Sequence, residues 1–139
     1  MTEQQLHNHC IAAVIPCYRV EREIESVLRT IPSYIKHIIV VDDASPDSTA
    51  DLVSASAKDD HRITLIRHSS NQGVGGAMVT GYHKALELGA QVVVKIDGDG
   101  QMDVEHLPKL LQPLISAATR AGIPARSPQN TLRSDRSST

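Results

Sequence analysis

The sequence has almost no aromatic residues: its 139 residues include three Tyr and neither Phe nor Trp. A hydrophobic core must therefore be built from aliphatic side chains. Few aromatics are available to stack on bases, and the formal net charge is only −2. Together these two features argue against a general nucleic-acid-binding protein.

Cysteines and long apolar runs are also scarce. Cys10 and Cys17 are too few for a disulfide framework, and their spacing is not that of a CxxC motif. The apolar runs are short, so the sequence predicts neither a transmembrane helix nor a signal peptide. Its length fits one domain with an aliphatic core.

Charge is divided unevenly along the chain. Residues 1–116 contain ten Lys or Arg and fifteen Asp or Glu, a net charge of −5, whereas residues 117–139 contain four Arg and one Asp, a net charge of +3. The second stretch is rich in Ser and Arg and has too few large apolar residues to offset the entropy of ordering. We therefore expect a folded domain over residues 10–116 and a disordered basic tail over residues 117–139.

Aliphatic runs and helical periodicities alternate along this domain. The aliphatic runs predict four buried strands, over residues 10–15, 37–41, 63–66 and 91–96. The periodic segments predict four helices, over residues 21–31, from Ser45-Pro46 onward with Ser45 as N-cap, over 73–88 and over 104–118. Residues 1–9 are polar and expected to fray. The alternation predicts an α/β fold, a Rossmann-like parallel sheet with helices on both faces.

Candidate functional residues follow the predicted strands, where open α/β sheets bind ligands. Asp97-Gly98-Asp99 follows the fourth strand, and two carboxylates on a glycine-rich turn suit Mg²⁺, which takes few carboxylates together with phosphate oxygens and water. The alternative is an ordinary acidic turn.

The other strand ends allow two interpretations each. Asp42-Asp43 could accept hydrogen bonds from a ribose or base, or form a turn. The glycine-rich stretch 73–76 could face a phosphate at a helix N-terminus, or allow close helix–sheet packing. Tyr18 could stack on a base or pack on a loop. We expect Cys17 to be a packing residue and the seven His to be mostly solvated.

Four motifs together are more specific than any one of them. IPCYRVE, VVDDASPDST, NQGVGGAMVTGY and KIDGDGQMD occur in this order and resemble the nucleotide-sugar-binding half of family 2 glycosyltransferases, which have the GT-A fold. The similarity is strongest to members like polyprenyl- and dolichyl-phosphate mannose synthases. It covers residues 10–116.

The resemblance implies a role for each matching residue. Residues at the ends of the first, second and fourth strands would bind the nucleotide sugar. They are Pro16, Tyr18, Asp42, Asp43, Asp97, Gly98 and Asp99. Within this set Pro16 and Tyr18 hold the nucleobase, and Asp43 bonds the base or ribose. The metal, Mg²⁺ or Mn²⁺, would be held by Asp97, Asp99 and Gln101. One departure is that family members often have Asn-Glu after the tyrosine, whereas here Glu21 comes one residue later.

The resemblance also implies a sugar donor, an acceptor and a cellular location. The donor would be a UDP-, GDP- or dTDP-linked sugar and the acceptor a polyprenyl phosphate, with no nucleic acid bound. We expect a cytoplasmic protein, with the inner face of a membrane as the alternative location.

An acidic general base in the acceptor half is expected in this family, and none is identified in the sequence. The hypothesis is therefore a truncated or frameshifted glycosyltransferase, inactive alone. The alternative is a non-catalytic nucleotide-binding module. A Rossmann dehydrogenase is disfavoured because GxGxxG is poorly matched.

Overall fold

The fold is a four-stranded parallel sheet, seen in a computed structural model that describes residues 2–122. The strands are β1 (Ile11–Cys17), β2 (Ile35–Asp42), β3 (Ile63–Arg67) and β4 (Val92–Lys95), and they lie in the order β3-β2-β1-β4. Every pairing is parallel, so the chain crosses over through a helix between strands. All four predicted strands are confirmed, with ends shifted by a few residues.

Within residues 2–122, five α-helices and one 3₁₀ turn connect and flank the strands. They are α1 (Glu3–His7), α2 (Ile24–Thr30), α3 (Thr49–Asp59), α4 (Gly73–Glu87), the 3₁₀ turn Val104–His106 and α5 (Leu107–Arg120). Pro108 lies in the first turn of α5 and Pro113 inside it. Among residues 2–122, none of the helices combines the length and the apolarity that crossing a bilayer requires.

The hydrophobic core has one cluster on each face of the sheet. Alternate residues of β1 divide between them: Ala13 and Ile15 belong to the larger cluster, and Ala12 and Val14 to the smaller. The larger cluster includes side chains from α1, α2, α3 and α5, whereas the smaller is closed by α4. Helices thus cover both faces, which confirms the predicted α/β architecture.

Two local predictions are wrong. Residues 1–9 do not fray throughout, because α1 forms there with a capping box between Thr2 and Gln5, and Leu6 is 1% exposed. Ser45 does not cap the third helix, which begins at Thr49; its Oγ accepts a hydrogen bond from Arg19 N at 3.0 Å instead.

The predicted boundary between domain and tail falls within α5. This helix continues through residue 116 to Arg120. Residues 123–139, which make up most of the predicted disordered tail, lie outside the described residues.

Candidate functional site

The carboxyl ends of the strands form one edge at which most of the predicted site residues meet. Cys17 pairs with Asp42 across β1 and β2, and Asp42 with Arg67 across β2 and β3. On the other side, the chain leaves β4 with a hydrogen bond from Ile96 N to Val14 O of 3.0 Å. The strand order therefore brings the segments that follow β1, β2 and β4 side by side, as the sequence predicted.

The Asp97-Gly98-Asp99 turn lies directly against the end of β1. A Cβ atom added to Gly98 would lie 2.8 Å from Cys17 Sγ and 3.3 Å from Pro16 O, so a side chain at this position would push the turn away. Gly100, with φ of +79°, completes the turn in a conformation that favours glycine. The two glycines thus hold the carboxylates of Asp97 and Asp99 beside β1.

These two carboxylates are open to solvent and weakly engaged. The side chain of Asp97 is 47% exposed, with Oδ1 3.7 Å from Lys95 Nζ. Asp99 is exposed, and its Oδ1 accepts a 3.1 Å hydrogen bond from Gln101 N. An exposed ion pair such as Lys95–Asp97 contributes little stability, and Asp99 accepts only the hydrogen bond from its own turn among the described residues, so both side chains are available to a ligand.

The donor set fits a cation shared with a substrate. Within residues 2–122, no three His, Cys, Asp or Glu side chains are grouped so that they could hold a metal by themselves. Two carboxylates and the amide of Gln101 are hard oxygen donors, and Mg²⁺ or Mn²⁺ in such a site completes its coordination with phosphate oxygens and water. The residues present therefore suit a cation that a diphosphate helps to bind.

Asp43 is held at the end of β2 by three hydrogen bonds. Its Oδ1 lies 2.8 Å from both His68 Nδ1 and Gln72 N, and its Oδ2 accepts from Gly73 N at 2.8 Å. Burial by itself raises the pKa of Asp43, but the bonds from His68 and the two backbone N–H groups outweigh it and hold the pKa below its usual value. Asp43 is therefore a fixed carboxylate with one acceptor position left on Oδ2.

Asp42 lies in the interior. It is 0% exposed, neither oxygen accepts a hydrogen bond from the described residues, and Arg67 Nε is 3.7 Å from Oδ2. Burial and the neighbouring Asp42 charge raise the pKa of Cys17 to about 12, so its thiol is not a nucleophile at neutral pH. The two predicted acids thus differ, since Asp43 borders the edge and Asp42 has no contact with solvent in this structure.

Tyr18 presents its ring at the mouth of β1. It is 47% exposed, and the Arg19 guanidinium carbon lies 5.8 Å from the ring centroid. Glu21 is engaged elsewhere, because its Oε2 accepts a 2.9 Å hydrogen bond from Ser48 N at the start of α3. Tyr18 is therefore available for stacking, and Glu21 ties the loop after β1 to α3.

The glycine-rich start of α4 donates a backbone hydrogen bond to Asp43. Gly73, with φ of +83°, directs its N–H to Oδ2 of that carboxylate. An added Cβ at Gly75 would meet nothing within 4 Å beyond its chain neighbours and the backbone of its own helix, whereas at Gly81 an added Cβ would collide with Val14 of β1. An added Cβ at Gly76 would meet only the side chain of Gln72, the N-cap of the same helix. Close packing of α4 on the sheet thus depends on Gly81, and the interpretation of Gly75 and Gly76 as glycines for helix–sheet packing is wrong.

His68 is the residue of this site that the sequence analysis missed. The expectation that the histidines are mostly solvated is wrong here, because the side chain of His68 is 7% exposed and bridges Asp43 to Thr80 of α4. The signal in the sequence was its place directly after the third strand, the position at which the other strands carry their polar site residues.

Comparison with known proteins points to one family. The family described as Glycosyl transferase family 2 matches residues 12–137. A UDP-N-acetylglucosamine–dolichyl-phosphate N-acetylglucosaminyltransferase of Methanococcus voltae is 34% identical over 119 residues, which cover 76% of this chain and 47% of that protein. An undecaprenyl-phosphate mannosyltransferase of Micrococcus luteus is 35% identical over 114 residues, covering 77% and 45%. The chain thus spans less than half the length of these relatives.

Solved structures show the same fold. A mannosyltransferase of Pyrobaculum calidifontis in complex with GDP-Man and Mn²⁺ is similar with a TM-score of 0.56 and 26% identity, covering 66% of this chain and 28% of that one. The sheet and its helices are those of GT-A glycosyltransferases, which confirms the predicted fold class.

Proposed function

The chain belongs to glycosyltransferase family 2, and from this we propose that its described residues bind a nucleoside diphosphate sugar together with a divalent cation. The observation that supports the proposal most strongly is the edge of the sheet. There the exposed ring of Tyr18, the fixed carboxylate of Asp43 and the Asp97–Asp99 turn converge on adjoining strand ends. These are the groups that a base, a ribose and a metal-bound diphosphate require.

Each end of this edge suits a different part of the donor. In our proposal Tyr18 stacks on the base, with Pro16 beside it, and the free acceptor position of Asp43 takes a hydrogen bond from the base or ribose. Asp97, Asp99 and Gln101 hold Mg²⁺ or Mn²⁺, and Gly98 keeps their turn packed against the end of β1. The cation would neutralise the negative charge that develops on the departing nucleoside diphosphate. Asp42, being buried, acts through the structure of the edge rather than by contact.

The acceptor we propose is a polyprenyl phosphate. Both of the relatives described above are named as transferases acting on dolichyl or undecaprenyl phosphate. Two different nucleotides occur in the names of the similar proteins, UDP and GDP, so both belong in any test of the donor.

Calorimetric titration of the chain with GDP-mannose and UDP-N-acetylglucosamine, with and without Mn²⁺, tests the proposal. We expect one donor to bind in a Mn²⁺-dependent manner, and Asp99→Asn to weaken that binding about 10-fold or more, since even indirect supports of a metal site contribute that much. The matched control is Asp103→Asn, an exposed acid beyond the turn, which should bind normally. A donor affinity that changes neither on removal of Mn²⁺ nor in Asp99→Asn would refute the metal-dependent site.

The same protein samples distinguish transfer from binding alone. Sugar transfer to polyprenyl phosphate that is lost in Asp99→Asn supports an enzyme. Tight Mn²⁺-dependent binding without any transfer favours the alternative, a non-catalytic nucleotide-binding module.

A further inference from the structure

His68 links the site to the helix on the smaller core cluster. Its backbone N–H donates to Asp42 O at 2.9 Å and so continues the β2–β3 pairing. Its ring places Nδ1 2.8 Å from Asp43 Oδ1 and Nε2 2.8 Å from Thr80 Oγ1. Thr80 in turn lies 3.1 Å from Gly76 O, one turn earlier in α4. The contacts of His68 therefore connect the end of β2 to α4, and the single hydroxyl hydrogen of Thr80 is donated either to Gly76 O or to Nε2.

The partner of Nδ1 determines that this ring nitrogen of His68 carries a hydrogen. Asp43 has a pKa below its usual value, so at neutral pH its carboxylate can only accept hydrogen bonds. Nδ1 must therefore carry the proton in the 2.8 Å contact with Oδ1. The side chains of His68 and Asp43 are 7% and 6% exposed, so water competes little for this bond.

The bond to His68 also determines where the free acceptor position of Asp43 points. Oδ1 is occupied by His68 and Gln72, and Oδ2 accepts from Gly73 alone. Since the two oxygens rotate together, holding Oδ1 fixes the direction of the remaining acceptor position on Oδ2. Without His68 the carboxylate keeps one backbone N–H on each oxygen, so its orientation is held less firmly and a ligand must supply part of the ordering.

We propose that His68 is a positioning residue for the nucleoside end of the site, orienting Asp43 through Nδ1 while its Nε2 contact with Thr80 plays a lesser part. The inference rests on the proposed function, because Asp43 is assigned there to the base or ribose. The inference predicts that a change at His68 affects the nucleoside end of the site and not the metal end, since His68 contacts Asp43 and not the Asp97–Asp99 turn.

Three variants of the full chain separate the two ring nitrogens. His68→Leu removes both contacts. His68→Asn retains a donor near the position of Nδ1 but loses the reach to Thr80, and Thr80→Val removes only the partner of Nε2. His83→Leu is the matched control, because His83 is an exposed histidine on α4, the helix that carries Thr80.

The first readout is the affinity of each variant for uridine and guanosine, which carry no phosphate, and separately for Mn²⁺ with pyrophosphate. We expect His68→Leu to weaken nucleoside binding roughly tenfold while leaving the Mn²⁺–pyrophosphate affinity within twofold. His68→Asn and Thr80→Val should stay within about threefold of the wild type. Equal losses at both ends of the site, or none, would overturn the proposal. So would Thr80→Val being as damaging as His68→Leu.

The second readout is the carboxyl pKa of Asp43, followed by NMR in each folded variant. We expect it to rise in His68→Leu and to stay near the wild-type value in His68→Asn. An unchanged pKa in His68→Leu would overturn the positioning role. This readout does not depend on ligand, so a wild-type chain that binds neither nucleoside would refute the proposed function while the pKa still decides the role of His68. Should His68→Leu fail to fold, His68→Gln replaces it, because its amide reaches the position of Nε2 and leaves Asp43 Oδ1 without the Nδ1 donor. We then expect the same losses as for His68→Leu, and wild-type behaviour of His68→Gln would overturn the proposal.

Discussion

Asp42 and Asp43 are consecutive, chemically identical and both buried, yet their carboxylates differ in their hydrogen bonding. Asp42 is buried without a hydrogen bond from the described residues, near Arg67, whereas Asp43 accepts three. The sequence indicated that this pair belongs to the site, because it follows an apolar strand. It did not show which acid faces the edge, since that depends on His68 and Gly73, which are 25 and 30 residues away along the chain.

Asp43 makes the free energy of unfolding depend on pH. Its pKa is lower in the folded chain than in the unfolded one, so its contribution is fully present above the unfolded value of about 3.9 and is lost as the pH falls through the folded value. We expect urea unfolding to show a decline in stability from about pH 5 downward, and a shallower decline in Asp43→Asn. The matched control is Asp51→Asn, an exposed acid on α3.

Some pH dependence should remain in Asp43→Asn. Burial raises the pKa of Asp47, but hydrogen bonds from Thr49 bring it below its usual value, and a hydrogen bond from Arg62 lowers the pKa of Asp60. A pH profile of Asp43→Asn identical to that of the wild type would contradict the role assigned to Asp43.

At the scale of elements, most of the fold follows from local patterns. Every strand was predictable because each is a short aliphatic run, and α4 because its buried positions recur with helical spacing. The helix α1 was missed because it is short and polar; it is stabilised by its capping box and by the burial of Leu6 in the core. The start of α3 was misplaced because the Ser45 hydroxyl accepts a hydrogen bond from Arg19 N instead of capping the helix. This tertiary contact cannot be inferred from a local sequence pattern.

The packing of α4 on the sheet gives a matched pair of glycine substitutions. At Gly81 a new methyl group would collide with Val14, so Gly81→Ala should lower the free energy of unfolding by about 1–3 kcal/mol. Gly75 faces open space in the same helix, so Gly75→Ala should raise it by about 0.5–1 kcal/mol through helix propensity alone. Urea denaturation of both variants checks this. Changes of the same sign would contradict the packing described for α4.

At the scale of the whole molecule, the site is a consequence of topology. The order β3-β2-β1-β4 sets the ends of β1, β2 and β4 side by side, although the motifs that follow them are far apart in the sequence. The sequence could predict this convergence, because parallel strands share one functional edge. It could not predict the close contact of Gly98 with Cys17, which depends on how the turn after β4 packs on β1.

The most direct test of the account is the position of Mn²⁺ in crystals of the chain grown or soaked with Mn²⁺ and either GDP or UDP. We expect an anomalous peak for Mn²⁺ beside the carboxylate of Asp99, and we expect the diphosphate to contact the same ion. The nucleoside should lie toward Tyr18 and Asp43. A nucleotide bound away from this edge, or Mn²⁺ located away from the Asp97–Gln101 turn, would contradict the account.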